Sequence, residues 1–234
     1  MFKYETHCHT SMGSRCAAAS AEEVVKLYKE HKYTGVFITD HFLNGNTTVD
    51  KTLPWEQQIE RYCKPYEEAK RLGDKCGLDV FFGWEYSYWY RGKGGKSCGG
   101  NDFLTYGLDK EWLLAHPEIM SLELPEYCDF IHENGGFIIH AHPFRDSGYI
   151  DMIRLVPKSV DGVEVLNSSR PDDENRMAEI FADFYRLSKT SGSDFHSMER
   201  QWISGIDTEE KINSPHDMLR LIRDNKTKIF KEEL

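Results

Sequence analysis

The reading turns on the stretch 4-YETHCHTSMGSRC-16, in which His7 and His9 stand one residue apart at the end of a strand-like run. Alternate side chains of a strand share a face, so His7 and His9 point the same way and offer two nitrogens to one cation. Cys8 then faces away from both and reads as packing. A pair of surface histidines near a terminus would look the same, so the rest of the chain has to decide.

Working outward, short apolar runs alternate with helical patterns. Strands are expected at 3–7, 35–41, 79–87, 102–108, 136–142, 161–167, 189–196 and, at the end, 228–230. Several of these runs are apolar and β-branched throughout, which suits a parallel sheet covered on both faces. Ser20 followed by Glu23 is a capping box that opens a helix. Pro54 fits a first helical residue, and Pro65 is expected to kink or divide the helix that follows it. Further helices are expected in LPEYCDFIHENGG, DDENRMAEIFADFYRLS and SPHDMLRLIRDN. This alternation predicts a βα-barrel or a doubly wound sheet, with 43–53 and the glycine-rich 88–101 as loops.

At 234 residues the chain is long enough for one large α/β unit. A formal charge of -10 disfavours long nucleic acid as a partner but leaves room for a small anion beside a metal cluster. With no long apolar run and no basic-then-apolar leader pattern, neither a membrane nor secretion is suggested, and the cytoplasm is the expected compartment. The six cysteines are scattered without a C-x-x-C pair, unlike a disulfide framework or a zinc finger. Nothing in the sequence defines the oligomeric state.

The ends of the expected strands collect the chemistry: His7 and His9, Asp40 and His41, Glu85, Asp102, His140 and His142, Asn167, Asp194 and His196. In a βα-barrel these ends form one mouth. Asp40 has the opposite parity to His41 and reads as a residue that supports ligands. Glu85 follows an apolar strand, where a buried carboxylate without a partner would cost several kcal/mol, so a cation is its natural neighbour. His7, His9, His41, Glu85, His142, Asp194 and His196 are too many for one ion of roughly four to six ligands, so at least two divalent ions with a shared carboxylate are expected. A mixed imidazole and carboxylate set fits Zn²⁺, Mn²⁺ or Fe²⁺.

The ordered motifs H-C-H-T, T-D-H, G-W-E, H-A-H-P and G-S-D-F-H resemble the PHP (polymerase and histidinol phosphatase) superfamily over residues 4 to 196. The resemblance implies a distorted (β/α)7 TIM-like barrel, a single α/β domain over 1–234, with two or three metal ions and phosphoester hydrolysis. It implies a first ion on His7, His9, Glu85 and Asp194, a second bridged by Glu85 to His142, and a third on His41 and His196. Two departures stand out. Where many members carry an acid or a histidine about five residues past H-x-H, this chain has Met12-Gly13-Ser14-Arg15. The third site is therefore expected to be weak or empty, or completed by water or Ser14, with Arg15 holding substrate phosphate. Asp102 stands where relatives often have a histidine and is expected to serve the second ion.

The expected chemistry is attack on a phosphate ester by a metal-bridging hydroxide, with Glu85 as a structural bridge and Glu85, Asp194 and His196 as the catalytic set. The leaving-group proton would come from metal-bound water, His140 or His196. Arg145 is placed to clamp phosphate, Arg170 and Asn167 are further substrate candidates, and the run 86–96 suggests a lid of aromatic rings with Arg91, Lys93 and Lys96. The substrate class is a small phosphorylated metabolite or nucleotide. Trimming of short oligonucleotides, amide hydrolysis and a non-catalytic metal-binding module are the competing readings.

Overall fold

The computed structural model describes residues 1–91 and 97–234. One sheet of nine strands organises them, in the order β7-β6-β5-β4-β3-β2-β1-β8-β9. Strands β1 (Phe2–Cys8), β2 (Gly35–Ile38), β3 (Asp79–Arg91), β4 (Ser97–Tyr106), β5 (Phe137–Ala141), β6 (Gly162–Asn167) and β7 (Ser188–Gly192) form the barrel wall, and the hairpin β8 (Trp202–Thr208) and β9 (Thr227–Glu233) extends it beyond β1. The helices are α1 (Ala21–Glu30), α2 (Trp55–Cys76), α3 (Lys110–Ala115), α4 (Leu124–Glu133), α5 (Asp172–Tyr185) and α6 (Pro215–Arg223). None of them is long and apolar enough to cross a membrane.

The sheet curls until β7 meets β1, giving a nearly closed barrel. Past the ladder of β7, His9 N donates to the Phe195 carbonyl at 2.9 Å and Phe195 N donates to the His7 carbonyl at 3.2 Å. Glu5 seams the same junction from within. Its buried carboxylate accepts from Ser193 N (2.9 Å), Ser193 Oγ, Tyr28 Oη (2.7 Å) and His7 N (2.8 Å). Burial pushes the Glu5 carboxyl up to about 7 against these four donors. Gly192 permits the approach, because a Cβ there would lie 2.5 Å from His7 Cβ and 2.9 Å from both His7 N and Glu164 Oε1.

The lower interior is filled by Phe37, Leu104, Tyr106, Phe137 and Ile139, so the barrel is a packed core with its polar groups at one mouth. Cys8 packs with Val24, Val25 and Tyr28 of α1, as strand alternation requires.

Four expectations need correction. β4 is antiparallel to both β3 and β5, so the wall is not wholly parallel. The stretch 88–101 is largely strand rather than loop, because β3 and β4 pair as far as Arg91 and Ser97. The expected roles of the Arg91 side chain, Lys93 and Lys96 lie outside the described residues. Helix α2 runs through Pro65, whose neighbours Ile59, Tyr62, Cys63, Ala69 and Gly73 continue one buried stripe along the helix. Burying that stripe offsets the single backbone hydrogen bond that proline removes. Strand β8 is absent from the expected set; it packs closely on β1, where a Cβ at Gly205 would lie 2.3 Å from the Tyr4 carbonyl oxygen.

Because the Gly192 contact involves backbone as well as side chain, Gly192→Ala should destabilise the fold by about 1–3 kcal/mol, the usual cost of overpacking. Urea denaturation would measure it, and an unchanged midpoint would show that the β1–β7 junction yields without strain.

Candidate metal centre

Six strands and the segments that follow them deliver the polar groups to one buried cluster. β1 carries His7 and leads directly into His9, and the segments after β2, β5 and β7 supply His41, His142, Asp194 and His196. β3 contributes Glu85 from mid-strand. Asp102 also reaches the mouth, but from the middle of β4: that strand runs the other way, and Asp102 pairs with Ala141.

Glu85 lies at the centre. Its Oε1 is 3.3 Å from His7 Nε2 and 3.2 Å from His142 Nε2, while Oε2 is 3.6 Å from His9 Nε2 and 2.5 Å from His41 Nδ1. Asp194 Oδ1 is 3.5 Å from His7 Nε2 and 3.3 Å from both His9 Nε2 and His196 Nδ1. Asp102 Oδ2 is 4.0 Å from His142 Nε2. Among the described residues, ligand atoms within 4.8 Å of one another form four triads: His7-His9-Glu85, His7-His142-Asp194, Glu85-Asp102-His142 and His9-His41-His196. Residues separated by up to 187 positions thus converge.

These residues fit divalent ions on physical grounds. His41 Nδ1 and Glu85 Oε2 are buried with only each other at 2.5 Å, and His7 Nε2 faces His9 Nε2 at 3.1 Å. Burial opposes charge on His7 and His41, yet the nearby carboxylates hold both rings well above the ordinary imidazole range. Burial would raise Glu85 and Asp194, but the surrounding imidazoles hold both well below the usual carboxylate range. The cluster demands positive charge, and protons answer that demand where no ion does.

Polar groups behind the cluster set the ring tautomers. His7 Nδ1 is 3.0 Å from Glu164 Oε1, which points His7 Nε2 inward. Glu164 also accepts from His142 N at 3.1 Å and from Asn167 Nδ2 at 2.9 Å. Asn167, expected on substrate, is buried and serves Glu164 instead. Ser14 Oγ donates to Asp40 Oδ1 (2.7 Å) and accepts from His41 N (3.0 Å) and His9 Nδ1 (3.0 Å). One donor and two acceptor positions are all a hydroxyl has, so Ser14 has none left for an ion. Gly13 is required beside it, since a Cβ there would lie 2.1 Å from Asp40 Cγ. Asp40 supports the ligands as its parity suggested, accepting also from Thr10 N and Thr10 Oγ1, each at 2.7 Å.

His140 and His142 do not share a face. His140 alternates with Ile139 and Ala141, which face the barrel interior, and stacks on Phe103 at 4.7 Å beneath α5. Burial pushes it down to about 3. His142 lies past the strand with φ of 26°, and that turn swings it inward. Asp194, at φ of 50°, is also left-handed, an uncommon conformation outside glycine that tends to mark functional sites.

Above the cluster opens a cavity of about 590 Å³ lined by His41, Asp102, Asp194 and His196 together with Trp89, Tyr149, Arg145, Arg170 and Arg200. Arg145 Nε is buried without a hydrogen bond. Arg170 lines the cavity while Glu174 grips it with two hydrogen bonds of 2.7 and 2.9 Å. Arg15 lies outside the lining, its Nε donating to the Thr47 carbonyl at 2.6 Å. Tyr86 stacks on Tyr127 with centroids 3.7 Å apart, away from the cavity that Trp89 enters.

Three participants escaped the sequence reading. Glu164 was signalled by an acid inside an apolar strand. Arg200 carried no signal. Cys16, seven residues past His9, puts its Sγ 3.1 Å from both His41 Nε2 and His196 Nε2. Burial opposes ionisation, but hydrogen bonds from His196 and His41 bring this thiol down to about 6.

No protein-family model and no curated protein matches the chain. Solved structures do. A protein inferred to be a metal-dependent phosphoesterase from Bifidobacterium adolescentis superposes with a TM-score of 0.55 at 14% identity, covering 94% of each chain. A two-domain protein from Bacteroides vulgatus, containing an inferred PHP-like metal-dependent phosphoesterase, gives 0.61 at 13% identity; it covers 98% of this chain, which spans 64% of that one. An amidohydrolase from Chromobacterium violaceum with bound sulfate gives 0.57 at 16% identity and 97% of each chain. The chain therefore has the fold of the PHP-like metal-dependent phosphoesterases.

Ion binding should raise thermal stability. At a free ion concentration 100 times Kd, each occupied site adds about 2.7 kcal/mol. In differential scanning fluorimetry of chelator-treated protein, added Zn²⁺ or Mn²⁺ should raise Tm by several degrees, and Glu85→Ala should remove most of that gain. An equal gain in the variant would take Glu85 out of the ligand set.

Proposed function

We propose that the chain is a metal-dependent hydrolase of small phosphate esters. The carrying observation is the cavity in which Arg145, Arg170 and Arg200 stand over the carboxylate and imidazole cluster. Guanidinium groups pair with phosphate through parallel donors, and a cavity of about 590 Å³ suits a small ligand.

The metal ions would be held by His7, His9, Glu85 and Asp194, by Glu85, Asp102 and His142, and by His41 with His196. When bound, they supply Lewis acidity and a water made acidic enough to attack phosphorus near neutral pH. The chain's own residues do the rest. Both oxygens of Glu85 are engaged by histidines, so it fixes positions and takes no proton. Arg145, with a buried Nε awaiting an acceptor, clamps a nonbridging phosphate oxygen. Glu174 holds Arg170 rigid, so its guanidinium meets the substrate with little loss of side-chain freedom. Trp89 and Tyr149 shape the outer part of the cavity and suit a substrate with a planar group.

Arg145→Ala should lower kcat/KM on the best substrate about 10–100-fold, the worth of a charge-assisted hydrogen bond of about 1.5–3 kcal/mol. The test is steady-state kinetics on a panel of aryl phosphates, sugar phosphates, nucleotides, a 5-mer oligonucleotide and an amide, with Mn²⁺, Zn²⁺ and Fe²⁺. Turnover of the amide alone would overturn the reading, and preference for the oligonucleotide would replace the small ester with a strand end.

A further inference from the structure

We infer that Cys16 supplies a thiolate to the third metal position, beside His41 and His196, and makes that position selective for thiophilic divalent ions such as Zn²⁺ over Mn²⁺ or Mg²⁺. The inference rests on the metal-dependent reading above and adds a ligand that the H-x-H surroundings conceal.

The geometry places one sulfur between two imidazole nitrogens. Cys16 Sγ is 3.1 Å from His41 Nε2 and 3.1 Å from His196 Nε2. His196 Nδ1 lies 2.8 Å from the Asp194 carbonyl oxygen, which can only accept, so that nitrogen keeps a proton and Nε2, beside the sulfur, is the one that can bind an ion. His41 Nδ1 lies against Glu85, so His41 also meets the sulfur with Nε2. One S–H can satisfy only one of two such nitrogens, whereas one cation satisfies both and the sulfur.

The fit in distance is close. With Zn–S near 2.3 Å and Zn–N near 2.0–2.1 Å, a tetrahedral site has S···N edges of about 3.5 Å, a few tenths more than observed. Cys16 sits on an exposed loop and can move that far, while the histidines are held from behind. All three side chains line the cavity, so the fourth position opens toward substrate, as a catalytic rather than a closed structural site requires. Ser14, the other nearby donor, is fully engaged by Asp40, His9 and His41.

Sulfur in place of an oxygen ligand changes which ion is kept. Thiolates select zinc and other soft or borderline ions, whereas carboxylates and water suit manganese and magnesium. The cluster is thereby divided, with oxygen-rich positions around Glu85, Asp102 and Asp194 and one sulfur-bearing position at the rim. Binding releases the thiol proton, if present, to solvent as the S–metal bond forms.

The test uses the full chain, stripped with chelator and titrated with Co²⁺ and Zn²⁺. Wild type should show a near-ultraviolet thiolate-to-cobalt charge-transfer band and bind one more zinc than Cys16→Ser, in which the band disappears and zinc affinity at this position falls about 100-fold or more, beyond the 10–100-fold cost of losing a supporting residue. Cys16→Asp should bind the additional ion without the band and prefer Mn²⁺ there. Should the serine variant misfold, zinc protection of Cys16 from iodoacetamide in wild type, read by peptide mass spectrometry, gives the same answer. Two bound ions with no band and an unprotected Cys16 would overturn the inference alone, as would a band that survives in Cys16→Ser. No bound ion in wild type would instead overturn the metal-dependent reading beneath it.

Discussion

The structure depends on one junction, the meeting of the first barrel strand with the seventh. His7 and His9 arrive on one side of it and Asp194 and His196 on the other, and no ligand triad that spans them exists until the sheet has curled shut. The backbone bonds between His9 and Phe195 and between Phe195 and His7 set the register, and Glu5 locks it with four donors drawn from β1, α1 and the end of β7. A buried carboxylate with so many partners is costly to disturb in part, because each lost donor leaves an unsatisfied charge in a dry interior. The same closeness explains why position 192 is glycine.

Within that frame the centre is built from competing charges. Glu85 and Asp194 are nearly inaccessible to water, and the five rings around them offset their desolvation through direct contact. Behind the rings, Glu164, Ser14 and the Asp194 carbonyl each take up one nitrogen, leaving the opposite nitrogen of His7, His9 and His196 to face inward or toward the cavity. Such an arrangement fixes ligand direction before any ion arrives, which is what affinity and geometric selectivity at a metal site require.

Much of this was legible in the sequence because the chemistry obeys short-range rules. The capping box at Ser20 and Glu23 is a property of a helix start and appears as read, and His7 in β1 and His9 just past it turn to one cluster as their i, i+2 spacing suggests. What escaped depends on contacts between distant segments. No residue in 102–108 announces that its strand runs backward between two parallel ones. Strand β8 is fixed by the close approach of Gly205 to the Tyr4 carbonyl, far away in sequence. The H-A-H spacing misleads because the left-handed turn at His142 swings that ring inward while His140 packs on the other side of the strand. Cys16 hides for a similar reason: its partners are 25 and 180 positions away.

The β1–β7 junction also has a consequence in time. β1 spans residues 2–8 and β7 residues 188–192, so the two sides of the junction are separated by about 180 positions of chain. Contacts this far apart in sequence form slowly and late, after the loop-closure entropy between them has been met. Until then His7 and His9 sit on an unpaired edge, able to scavenge stray ions or to pair with another chain. The triads that join the two sides of the junction exist only in the closed barrel, so affinity for ions at this centre is a property of the closed state.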